Sequence, residues 1–328
     1  MKNIQADIKS GNFKQVYLLY GEEAYLKQQY KQNLVKALNP DGDTMNFNHY
    51  EGKGIDVKQL IDLCETMPFF AERRVVLLED TGFFKNKCEE LADYMKELPD
   101  YLYLVFAETE VDKRNRMYKA VKACGSIAEF IRQDEKTLMR WAAGILGKAG
   151  KKITQRDMEL LLTKTGTDMG NLRMEMEKLI SYTEGRDVVT AEDIEEICTT
   201  QTTNRIFDMV RAVTEKNQKR ALELYYDLLT LKEPPMRILF LLAKQYRQLL
   251  LAKQFAAAGL AQTEIASKLG VPGFVVRNIT TCARAYTISE LEQAVKDFVD
   301  AEESVKTGRL EDKLSVEVLI IKYSSKVK

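Results

Sequence analysis

The chain has 328 residues, 45% of them hydrophobic and 30% charged, with 49 Lys+Arg against 49 Asp+Glu. That length holds two or three domains at roughly 100–200 residues each, and the composition is that of a folded chain, not a disordered one. The charge balance excludes a protein that grips bare DNA along its whole length, because phosphate neutralisation demands a basic surface; any nucleic-acid contact is expected to be local or shared with partners.

Met1–Asp7 lacks the apolar core of a signal peptide. Val16–Tyr20 is a β-rich run ended by Gly21, and a helical stretch follows from about Glu23 to Leu38. Asn46–Tyr50 reads as a second strand, and Asp56–Glu65 as a helix with Val57, Leu60, Ile61 and Cys64 on one face. Arg74–Glu79 is a third strand, bounded by Asp80 and Gly82. The pattern over Lys85–Leu98 predicts a helix that stops at Pro99. Tyr101–Phe106 is a strand, Lys113–Cys124 a helix and Ile127–Phe130 a last short strand. Short apolar strands separated by helices predict a mostly parallel sheet covered on both faces, an α/β domain over residues 1–131.

After Arg132 the strand signals fade. Leu138–Ala149, Gln155–Lys164 and Asn171–Thr183 carry helical patterns, and Thr190 is placed to cap a helix whose first turn holds Glu192 and Asp193. These predict a small helical domain over 132–201. Residues 202–328 are again helical throughout. Pro234-Pro235 opens a long helix whose stripe is Ile238, Leu241, Leu242, Gln245 and Leu249. Its most apolar run, Ile238–Ala243, is far too short to span a bilayer.

Cys64, Cys88, Cys124, Cys198 and Cys282 are scattered, with no CxxC, and His49 is the only histidine. That argues against a disulfide framework or a zinc site and for a reducing cytoplasm. The segment after the first strand, Gly21-Glu22-Glu23-Ala24-Tyr25-Leu26, stands where a phosphate loop would stand. It offers one glycine and two carboxylates, and no GxxxxGK[ST] occurs in the chain. No nucleotide, metal or other cofactor is expected, and no catalytic residues: a triad needs a better histidine and a nucleophile elbow. The acids closing Val75–Asp80 read as the solvated end of a buried strand. Lys306-Thr307-Gly308 reads as a helix terminus, a cationic last turn followed by glycine.

Two segments carry binding hypotheses. Thr263–Val271 looks like the first helix and turn of a helix-turn-helix reader, but Pro272–Ile279, which should present polar side chains to bases, is largely apolar. Helix–helix packing is the simpler reading of residues 262–280, and a sequence-specific DNA-binding regulator is the alternative. Met67-Pro68-Phe69-Phe70-Ala71-Glu72-Arg73-Arg74 joins a helix to a strand, and Pro68 blocks continuation of the helix. Adjacent phenylalanines in such a connection either fill the local core or protrude as an aromatic anchor flanked by arginine.

Val16–Leu26, Met67–Arg74, Glu177-Lys178-Leu179 and Val305–Gly308, in this order and spacing, resemble the delta subunit of the bacterial DNA polymerase III clamp loader. The resemblance runs over residues 14–322. It implies an AAA+-like α/β domain that has lost its nucleotide site, a small helical lid, and a helical collar that assembles with the other loader subunits. It implies a non-catalytic subunit of the polymerase holoenzyme whose partners are the sliding clamp (beta), gamma/tau-type and delta-prime-type loader subunits and, through the complex, primer–template DNA, with no membrane. It assigns Phe69 and Phe70 to the clamp's hydrophobic pocket and Met67 to a further clamp contact. The pair here is Phe-Phe where relatives can have Leu-Phe. In the collar it makes Phe274 and Arg277 candidates for DNA contact.

Overall fold

The structure is a computed structural model that describes residues 2–199 and 202–325, without the side chains of Lys2, Thr202, Thr203, Asn204 and Phe274. The chain divides into two units, Met1–Gln133 and Asp134–Lys328.

The first unit runs α1 (Lys2–Ser10), β1 (Val16–Tyr20), α2 (Ala24–Leu38), β2 (Phe47–Glu51), α3 (Val57–Cys64), β3 (Arg74–Glu79), α4 (Glu89–Tyr94), β4 (Leu102–Glu108), α5 (Arg116–Cys124) and β5 (Ser126–Glu129). The five strands form one sheet in the order β2-β3-β4-β1-β5, and every pairing is parallel. Both faces are covered, as the near-continuous apolar strands require. Val16, Leu18, Val76, Leu78, Leu104 and Phe106 point to a core shared with Leu60 and Cys64 of α3, Leu91 of α4 and Met117 and Val121 of α5. The alternate residues Tyr17, Leu19, Val75, Leu77 and Val105 point to the other core, closed by Ile4 of α1 and Leu34 and Leu38 of α2.

Three details depart from the sequence reading. The helix expected over Lys85–Leu98 is only α4: Lys85 and Asn86 turn back on the Gly82 carbonyl, at 3.0 and 2.9 Å. Helix α5 begins at Arg116, because the Asn115 side chain accepts the Met117 N–H as its N-cap. Asn46, expected inside the second strand, lies just before it. No element was expected where α1 lies.

The second unit begins with α6 (Glu135–Lys148), β6 (Lys152–Ile153), α7 (Gln155–Thr165), α8 (Met169–Tyr182), β7 (Val188–Val189) and α9 (Ala191–Ile197). The two-residue strands β6 and β7, too short to leave a sequence pattern, pair in parallel. Thr190 does cap α9, in a reciprocal box with Asp193. The rest is helical: α10 (Thr202–Thr214), α11 (Gln218–Thr230), α12 (Pro235–Ala257), α13 (Gln262–Leu269), α14 (Gly273–Ala283), α15 (Ile288–Lys306) and α16 (Asp312–Ser324). These share one core, with Tyr246 of α12 packed against Tyr286, Phe298 of α15 and Tyr323 of α16. Gly308, just beyond α15, takes a left-handed φ of 73°, the helix-terminus role read from Lys306-Thr307-Gly308.

Candidate partner-docking site

In a parallel sheet all the loops that enter strands lie at one edge and all those that leave lie at the other. The connection from α3 to β3, residues 65–73, is at the entering edge, with Asn46 and Tyr101 on neighbouring loops. Pro68 follows the end of α3, and the chain presents three large apolar side chains before it re-enters the sheet. Met67 is 74% exposed, Phe69 56% and Phe70 93%. The two rings meet edge to face, with centroids 4.5 Å apart. The core-packing reading of this pair is excluded by those exposures.

The turn beneath the rings is held by buried polar side chains. Asn46 Oδ1 accepts the Phe69 N–H at 2.6 Å, and Asn46 Nδ2 donates to the Phe69 carbonyl at 2.8 Å. Asn46 Nδ2 also donates to Asp43 at 2.5 Å, and this hydrogen bond is the main reason the Asp43 carboxyl is held below its ordinary pKa. On the other side, buried Arg74 donates from Nε to the Thr66 carbonyl at 2.8 Å, from Nη2 to the Met67 carbonyl at 3.3 Å, and from Nη1 to Asn48 at 3.2 Å. The Tyr101 hydroxyl donates to the Glu65 carbonyl at 2.8 Å. The guanidinium of Arg73 lies over the rings of Phe13 and Tyr103, 5.2 and 5.5 Å from their centroids. Phe70 itself has φ 50°, a left-handed conformation that costs a bulky residue of order 1–3 kcal/mol and persists only where the surroundings over-determine it.

Sequence reasoning singled out Met67, Phe69 and Phe70 but not the Asn46 and Arg74 side chains that hold their turn. The signal for Asn46 was there, a polar amide at the start of a strand, but its partner is 23 residues away. Arg74 was read as part of a strand, where a charged residue at the first position is ordinary.

The leaving edge of the sheet is built differently. Gly21 has φ 124°, and a Cβ there would sit 2.3 Å from the Phe130 carbonyl oxygen. That carbonyl accepts the Glu23 N–H at 3.0 Å, and the Phe130 N–H donates to the Tyr20 carbonyl at 2.7 Å. The β1–α2 turn is therefore packed onto the chain leaving β5, and its backbone is engaged where a phosphate cradle would keep N–H groups open. Of the acids at this edge, Glu79 and Asp80 were expected as a solvated strand end; Asp80 is exposed and Glu79 partly so, and both also make internal pairs. Glu79 meets Lys31 at 2.5 Å and His49 at 2.9 Å. Asp80 accepts from the Thr109 N–H and hydroxyl at 2.9 and 2.8 Å. Buried Glu108 accepts from the Thr81 N–H and hydroxyl at 3.1 and 2.6 Å, and its burial pushes the carboxyl pKa up against those bonds. Among the described residues there is no grouping of His, Cys, Asp and Glu fit to hold a metal ion.

In the second unit, α13 ends at left-handed Gly270, and α14 buries Val276, Ile279 and Cys282. Arg277 is half exposed, with Nη2 3.6 Å from the Glu159 carboxylate; the side chain of Phe274 lies outside the described residues.

Against known proteins, a sequence model for the DNA polymerase III delta subunit matches residues 17–130, and one for its C-terminal domain matches residues 203–323. The chain belongs to the DNA polymerase III delta subunit family. It is 26% identical to DNA polymerase III subunit delta of Bacillus subtilis, over 97% of this chain and 95% of that one. It is 22% identical to the probable DNA polymerase III subunit delta of Aquifex aeolicus, over 78% of this chain and 75% of that one. The solved structure of the Bacillus subtilis DNA clamp loader delta protein superposes with a TM-score of 0.68 at 23% identity, covering 99% of both chains, and so shares the fold of a parallel α/β domain followed by helical domains. No helix among the described residues is long and apolar enough to cross a membrane.

Proposed function

We propose that this family member docks on the sliding clamp through Met67, Phe69 and Phe70 and holds the ring toward its open form, without hydrolysing ATP itself. The observation that carries the reading is the adjacent ring pair, exposed at 56% and 93% on a turn anchored by buried Asn46 and Arg74. Large apolar side chains in water are a standing cost unless a partner covers them, and each ring buried in a pocket contributes about 1.5–3 kcal/mol before ordering costs. The anchored turn lowers those costs, since the rings are presented before the partner arrives. Preferential binding to a distorted clamp shifts the ring toward opening by no more than the differential affinity for the two forms.

The division of labour follows. Residues 1–131 form the clamp-binding domain, 132–201 the lid, and 202–328 the collar that joins gamma/tau-type and delta-prime-type subunits; ATP is bound and hydrolysed by partner subunits. The closed Gly21–Glu23 turn supports placing nucleotide chemistry on those partners. Primer–template DNA is met within the complex; for Arg277 to contribute, a phosphate must displace its Glu159 partner. The helix-turn-helix alternative has only the helix–turn–helix spacing in its favour, and the buried apolar face of α14 weighs against it.

The test is complex formation between the purified full chain and its cognate clamp without nucleotide. Binding by the wild type, with a loss of at least a hundredfold in Phe69→Ala/Phe70→Ala at unchanged thermal midpoint, is the expected result, each buried ring contributing roughly tenfold or more. Unchanged clamp affinity in that variant rejects the site.

A further inference from the structure

Resting on the clamp-docking reading, we propose that Asn46 is the positioning residue of the docking turn: its side-chain amide stands in for a strand neighbour and fixes the direction in which the Phe69–Phe70 pair is presented. Phe69 lies outside the sheet, five residues before β3, so no strand can satisfy its peptide groups. One amide satisfies both, accepting from the N–H at 2.6 Å and donating to the carbonyl at 2.8 Å. A closed pair of hydrogen bonds on a single residue is what an antiparallel neighbour makes in a sheet; it restricts both φ and ψ at that residue.

The orientation of the amide is determined from three sides. The Phe69 N–H requires an oxygen, and the Phe69 carbonyl and the Asp43 carboxylate, at 2.8 and 2.5 Å, both require the NH2 group. Asp43 is fixed in turn by Asn39, which donates to its carbonyl and accepts its N–H, each at 2.9 Å. The chain of contacts thus runs from the end of α2 through Asp43 and Asn46 to the ring pair. Asn46 is itself seated by its own backbone, whose carbonyl accepts the Val75 N–H at 2.9 Å, so the strut is tied to the first residues of β3. The next residue, Phe70, is held at φ 50°, which the chain would abandon if Phe69 were free to rotate. Because both polar groups of the Phe69 backbone are already paired, covering the rings strands no unsatisfied donor or acceptor there.

Asn46→Ala removes both bonds and leaves the rings intact. With the full chain and the cognate clamp, it is expected to bind about tenfold more weakly, the equivalent of roughly 1.4 kcal/mol of lost preorganisation. Hydrogen–deuterium exchange should rise over residues 66–73 and stay at wild-type levels in β1, β3 and β4. Asn46→Asp, which keeps the acceptor for the Phe69 N–H and loses the donor, should fall between the two and serves where the alanine variant does not fold. Exchange rising across the whole sheet would mean that Asn46 is merely structural. A loosened turn with wild-type clamp affinity would mean that presentation is not fixed by it. Either result overturns the proposal while Phe69→Ala/Phe70→Ala still loses the clamp; if that variant binds normally, it is the docking reading itself that fails.

Discussion

The first unit contains two Phe-Phe dipeptides, and they do opposite things. Phe83 and Phe84 are 8% and 0% exposed, with the Phe84 ring edge-to-face on Phe106 at 5.2 Å and the Phe84 carbonyl accepting the Asp112 N–H at 3.1 Å. Phe69 and Phe70 have the same composition, a nearby proline or glycine, and a connection that touches a strand of the same sheet, yet they face solvent. The difference lies in what the backbone is tied to. The Phe83–Phe84 segment leaves β3 and crosses over the core that α4 and α5 cover, so its side chains fall between layers. The Phe69–Phe70 segment enters β3 at the sheet's rim and is held there by Asn46 and Arg74, so its side chains point past the edge. Burial of an aromatic pair is decided by where its peptide groups find partners, not by the hydrophobicity of the pair.

The sharpest way to break that comparison is to truncate one ring in each pair. Phe84→Ala leaves a cavity against Phe106 and is expected to destabilise the chain by about 3–5 kcal/mol, whereas Phe70→Ala should change stability by no more than about 1 kcal/mol. Urea unfolding followed by circular dichroism measures both, and similar losses would remove the distinction. A finer test uses the left-handed backbone of Phe70. Phe70→Gly relieves strain that glycine does not feel, offset by glycine's greater unfolded freedom, so a net gain of about 1 kcal/mol is expected together with weaker clamp binding. Stability and affinity moving in opposite directions is the mark of a strained, presented residue; a destabilised glycine variant would show that the conformation is not strained.

The smallest effect is electrostatic. The Asp43 carboxyl is held below its ordinary pKa, chiefly by the Asn46 amide. A carboxyl with a lowered folded-state pKa stabilises the folded turn above its unfolded value, near 3.8, and that contribution is lost as pH falls through the folded value. The Asn46 side-chain amide and Phe69 backbone amide resonances should therefore stay constant from neutral pH downward and shift together only in strong acid. A shared midpoint at or above the ordinary carboxylate range would show that Asp43 does not brace the amide.

Much of the fold could be read from residue order. Strands β1, β3 and β4 were visible because each is a short apolar run, while β2 (Phe-Asn-His-Tyr-Glu) and β5 (Ser-Ile-Ala-Glu) left weaker patterns; such runs separated by helices leave little choice but a covered parallel sheet. Thr190, Pro235 and Gly308 announced helix ends by chemistry that acts within a few residues. The helix expected over Lys85–Leu98 failed for the same local reason in reverse: helical spacing there was real, but Gly82 offered its carbonyl to two N–H groups and turned the chain first. At the candidate site Met67 came with the family resemblance, while Phe69 and Phe70 stood out as adjacent aromatic residues in a connection. Their supports did not, because Asn46 and Arg74 act across 23 and 8 residues and look like ordinary strand-flanking side chains.

Sequence by itself determined the alternation of strands and helices, the shift to an all-helical second half, and the lack of a glycine-rich, lysine-bearing loop after the first strand. Each depends on neighbours in the chain, through dihedral preference, side-chain periodicity or a motif's spacing. Tertiary structure alone decided which Phe-Phe pair is inside, that Gly21 is pressed onto the Phe130 carbonyl, and that one buried amide grips Phe69 from the loop before β2. Those outcomes rest on hydrogen bonds and contacts between segments that only the folded sheet brings within reach, and no local pattern encodes them.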